Sequence, residues 1–138
     1  MIAAAALLLL AAVDDPSPLG TLPRQALDRG SCAAFLWEVT EPPRLVLMLR
    51  AGSGAARAMF SGAVRDLAQA AASGEAVRGI APKARYGTDG SALDVDLVIE
   101  ERSGLADGAV IPSGTVNMQR PGGDTVVMPV SGMIACRR

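Results

Sequence analysis

The chain has 138 residues, half of them hydrophobic and a fifth charged, a composition that fits one globular domain and excludes a disordered chain. Its formal charge of -1 gives none of the basic excess that nucleic acid binding requires. It contains no histidine, which excludes a histidine general base, a Ser-His-Asp triad and zinc sites built from imidazoles.

Residues 2–13 form an uncharged apolar run that stops at Asp14-Asp15-Pro16. The run has the length of the apolar region of a secretory signal and falls short of the about 20 residues that span a bilayer. Residues 1–13 are therefore read as a signal peptide, although no Lys or Arg precedes the run and no clean small-x-small site closes it. Residues 14–31, with Pro16, Pro18, Gly20, Pro23 and Gly30, are expected to form an extended lead-in. Residues 32–138 then make a single β domain. Cys32 and Cys136 stand at its two ends, and after export their simplest arrangement is one disulfide.

Within that domain short apolar runs alternate with turn signals at roughly ten-residue spacing, the pattern of an all-β fold. Residues 32–39 read as the first strand and 44–50, after Glu41-Pro42-Pro43, as the second. Residues 55–72 carry two patterns. Ala56, Met59, Phe60, Ala63, Val64, Leu67 and Ala71 recur at helical spacing, yet 57–60 and 63–68 also read as a hairpin about Ser61-Gly62. Gly62 costs about 1 kcal/mol inside a helix, so the hairpin is favoured. The alternative is an α+β fold with one helix at about 55–72.

The clearest strand is 93–100, where Leu93, Val95, Leu97 and Ile99 share one face and Asp94, Asp96 and Glu100 the other. It pairs with 83–88 across Thr88-Asp89-Gly90-Ser91, since Asp-Gly supplies the backbone angles of a tight hairpin turn. A second hairpin joins 115–120 to 125–130, and Pro112 and Pro129, which cannot donate to a ladder, imply edges or bulges there. A bridge between first and last strands makes neighbours of them. The expected fold is thus a small meander barrel or a two-sheet sandwich closed by one disulfide.

Candidate chemistry is sparse. Asp94 and Asp96 project from one strand face, as paired carboxylates for acid-base work or a hard cation would, but that is also how any solvated strand face looks. Glu100-Glu101-Arg102 adds charge without geometry. Gly52-Ser53-Gly54 lacks the further glycine and the Lys-Ser/Thr of a phosphate loop and reads as a turn. No catalytic residue, cofactor or metal site is expected. Lys83, Arg85 and Tyr86, with Trp37, form the possible binding surface, while Phe35 and Trp37 read as core or as the lining of a barrel mouth.

Ser73-Gly74, followed after eight residues by Lys83-Ala84-Arg85-Tyr86, resembles in two separated pieces the Ser-Gly-x-Lys-Tyr stretch of periplasmic C-type lysozyme inhibitors. Those are small β-barrels with a disulfide, and the resemblance implies inhibition of a cell-wall hydrolase such as lysozyme. The leading expectation is broader: a periplasmic or secreted, non-enzymatic envelope protein that binds another macromolecule through a β surface. A small-molecule carrier is the alternative. Neither nucleic acid nor a stable membrane span after signal cleavage is expected.

Overall fold

The computed structural model describes residues 18–88, 91–120 and 122–138. The apolar leader, Asp89-Gly90 of the first expected turn and Pro121 of the second lie outside these residues. Nine strands follow in chain order: β1 (Cys32–Glu38), β2 (Arg44–Arg50), β3 (Ala56–Phe60), β4 (Ala63–Leu67), β5 (Gln69–Ser73), β6 (Lys83–Tyr86), β7 (Leu93–Glu100), β8 (Gly108–Gln119) and β9 (Thr125–Cys136). No helix occurs among the described residues, so the fold is all-β as expected and the helical reading of 55–72 is corrected. Its physical cause is local. Ser61 and Gly62 both take positive φ, 48° and 81°, which turns the chain between the paired residues Phe60 and Ala63 and cannot continue a helix.

All pairings are antiparallel and run in the order β4-β3-β2-β1-β9-β8-β7-β6-β5. Two meanders, β1 to β4 and β5 to β9, therefore meet along β1 and β9. The two edge strands are β4 and β5, yet Ala68 alone separates them in the chain. A sheet whose opposite edges are one residue apart in sequence has to curl until they meet. At that seam the Gly87 N–H donates to the Ala68 carbonyl at 2.8 Å, and the sheet becomes a nearly closed barrel.

The β1–β9 ladder sets Cys32 directly opposite Cys136, with Cα atoms 4.0 Å apart, and the two are joined as a disulfide. Alternation explains the core. Leu93, Val95 and Leu97 of β7 point inward with Leu36 of β1, Leu47 of β2, Val116 of β8 and Met128 of β9, and these side chains fill the barrel. Leu19 and Ile80, from segments outside the sheet, are buried in the same cluster.

Where backbones crowd, side chains are absent. A Cβ on Gly132 would lie 1.8 Å from the Phe35 carbonyl oxygen across the β1–β9 ladder. Pro112 sits in the β8 irregularity between Ile111 and Gly114. Pro129 turns its carbonyl toward β1, where it accepts from Val39 N–H beyond the last β1–β9 pair, so its missing donor faces the side on which β1 has ended. Both prolines thus fall where a ladder is interrupted.

The lead-in is not a strand, but it is docked. Gly20 N–H donates to Met59 and Leu22 N–H to Leu45, both at their carbonyls, which fastens the segment beside β3 and β2, with Leu19 turned into the barrel cluster and Leu22 and Leu27 outside it. There Leu22 buries against Ala33 and Met48, with Leu27, Phe35, Leu45 and Met59 around them, in a second apolar cluster outside the barrel. Arg57 to Gln25 and Arg137 to the Leu27 carbonyl, both at 3.0 Å, fasten the same segment.

Candidate functional site

The outward face of β5 to β8 follows from the register. Ser73, Lys83, Asp96 and Thr115 stand side by side in one row across four strands, and Ala71, Arg85, Asp94 and Asn117 in the next. Alternation with the buried Ala84, Tyr86, Leu93 and Val95 pushes these polar residues outward. Together they line an open groove of about 360 Å³.

Charges within the groove are matched strand to strand. Arg85 clasps Asp94 with two parallel hydrogen bonds of 2.8 and 3.0 Å. That donation holds the Asp94 carboxyl below the usual carboxylate range, against the opposing effect of burial. Lys83 lies 3.9 Å from Asp96 in a looser, more exposed pair. Each of the two carboxylates therefore faces a cation, an arrangement suited to fixing a polar surface. The Asn117 side-chain oxygen, opposite Asp94 in the ladder, is shielded from solvent and accepts no hydrogen bond among the described residues.

The other sequence candidates go elsewhere. Tyr86 follows Arg85 and so points to the opposite face; it is 3 % exposed in the core, where burial pushes its phenol pKa up. It does not stack beside Lys83 and Arg85. Trp37 and Phe35 lie on the outer face of β1, separated from β6 by the three strands β9, β8 and β7, with ring centres 6.5 Å apart and both residues half-buried. They line neither the groove nor the interior, which corrects the barrel-mouth reading. Gly52 and Gly54 take positive φ in the β2–β3 turn, as an ordinary turn would. Glu100 and Arg102 pair with each other at 3.2 Å on the surface.

Thr115 and Asn117 were missed as site residues. Their alternation with Val116 and Met118 carried the signal, but locating them beside Lys83 and Arg85 required the β7–β8 register. Among the described residues no group of three or more acidic or thiol side chains could hold a metal ion, and no helix is long and apolar enough to cross a membrane. The disulfide points to an oxidising compartment outside the cytoplasm. Comparison of the chain with protein families, with characterised proteins and with solved structures gives no match.

Proposed function

We propose that the protein is exported to the periplasm or the medium and there binds another macromolecule through the outer face of β5 to β8, without catalysing a reaction. The observation that carries this reading is the groove itself. Two rows of side chains, polar except for Ala71, stand on four hydrogen-bonded strands, and their charges are matched strand to strand. Such a surface is held rigid in advance, so little ordering entropy is lost on contact. Its width across four strands suits a macromolecular face better than an enclosed small ligand.

The test compares pull-downs from envelope extract by the wild-type protein and by Asn117→Arg, which fills the groove without touching the core. A partner recovered by the wild type and lost by the variant is expected. A partner held equally by both would remove the groove from the reading, and recovery of no specific partner would sink it.

One observation favours the inhibitor form of this reading. Ser73 and Lys83, which lie apart in the sequence, are direct cross-strand partners on the groove rim. Lysozyme activity measured with excess protein decides the matter: inhibition that Lys83→Ala weakens is expected, and unchanged activity at excess excludes it.

A further inference from the structure

The seam of the nearly closed barrel is joined at Ala68, but β4, which precedes it, has a strand partner on one side only among the described residues. β4 pairs with β3, and no strand lies against its other edge among the described residues. Its first four residues are exposed, including Val64 at 45 %.

The direction of the backbone groups can be read from hydrogen bonds on either side. Met59, which faces Val64 in the β3–β4 register, turns its carbonyl away from β4 to accept from Gly20 N–H. Met59 and Val64 are therefore a pair without mutual hydrogen bonds, and Val64 turns its own N–H and C=O to the open side. Ala68, four residues on and in the same phase, does turn its carbonyl outward, to Gly87. Asp66 lies between them in that phase. The open edge thus presents the donors and acceptors of Val64 and Asp66, without a proline or a bulge in the β3–β4 pairing to blunt it.

Side chains on this edge narrow what could pair with it. Asp66, on the outer face with Val64, is already clasped by Arg57 at 2.8 and 3.1 Å. Arg65, facing Ala58 on the other side of the sheet, is exposed, and no described acidic side chain pairs with it. An uncompensated cation at the middle of a free edge opposes a strand that brings another cation and favours one that brings a carboxylate. It also opposes a second copy of this chain. The longest unobstructed self-pairing centres on residue 65 and sets two Arg65 side chains opposite each other.

We propose that the open edge of β4 takes an extended segment of another protein as an added strand, and that this segment carries a carboxylate opposite Arg65. Main-chain hydrogen bonds to Val64 and Asp66 hold the segment, and the acidic residue sets its register. The site lies on the edge of β4 rather than on the outer face of β5 to β8, and is independent of that reading.

The test uses the full protein and two capped seven-residue peptides that alternate threonine with valine, one with glutamate at its centre and one with lysine. In the free protein the amides of Val64 and Asp66 are expected to exchange with solvent faster than those of Arg65 and Leu67, which bond to β3. The glutamate peptide is expected to slow exchange at Val64 and Asp66 and to bind about three- to tenfold more tightly than the lysine peptide. Arg65→Glu should invert that order. Val64→Pro, which removes a donor that β3 does not use, should abolish binding while the β3–β4 amides stay protected. The proposal is overturned if Val64 and Asp66 are already protected in the free protein, if the charge swap leaves peptide affinity unchanged, or if their protection follows protein concentration, which would assign the edge to a second copy.

Discussion

At Gly132 the obstacle to any side chain is backbone, and backbone cannot step aside as a flexible side chain can. Gly132→Ala is therefore expected to lower the unfolding free energy by about 1–3 kcal/mol, the range for overpacking, measured by urea denaturation. The Arg85–Asp94 pair makes a prediction of different sign with pH. A carboxyl whose pKa is lowered by folding stabilises the protein above its unfolded pKa and loses that contribution as pH falls through the lower folded value. The stability difference between wild type and Arg85→Ala should then be constant from about pH 5 to 7 and shrink below about pH 4. Both side chains are about two-fifths exposed, so solvent screening limits the difference to at most about 1 kcal/mol. A difference that grew on acidification would contradict the assignment.

Elements differed in how far the sequence announced them. β2 and β7 coincide with their expected spans, because a charge-bracketed apolar run and a clean two-residue alternation each leave one solution. β5 was invisible: Gln69 to Ser73 is exposed throughout and its alanines carry no pattern, so its pairing with β6 alone makes it a strand. β8 and β9 begin earlier or run longer than expected, since Pro112, Gly114 and Gly132 look like terminators and are in fact points where strands bend or pack closely. For the groove, Lys83 and Arg85 stand out locally, whereas Tyr86, next to Arg85 in sequence, falls on the opposite, buried face of the strand. The docking of the lead-in was equally hidden, since Leu22 and Leu27 stand alone among turn residues. Leu22→Ala tests that element. It should speed amide exchange at Gly20 and Leu22, whose bonds reach Met59 and Leu45, while the β1–β9 ladder stays protected. Uniform loss of protection would mean that the lead-in and barrel unfold as one unit.

For the molecule as a whole, the disulfide spans a sequence separation of 104 residues. The chain-entropy model puts its stabilisation at up to about 4.7 kcal/mol for a loop near that length. Replacing both cysteines with alanine should lower the unfolding free energy, measured by urea denaturation, by a large part of that while leaving a folded barrel, because the β1–β9 ladder continues from Cys32 to Glu38. A double variant that fails to fold would make the bridge a condition of the fold rather than a support.

The meeting of β1 with β9 also governs the order in which the protein can be completed. Every other strand pairing joins elements adjacent along the chain and can form as soon as a hairpin has emerged. β1 alone waits for a partner delivered about a hundred residues later, so a chain appearing N-terminus first carries an unsatisfied apolar ribbon through most of its biogenesis, exposed to neighbouring chains. Arrival of β9 covers that ribbon and brings the second sulfur to the first in the same movement. With two cysteines in the sequence, an oxidant has no incorrect intramolecular bridge to make; its one competing product is a link between two unfinished chains.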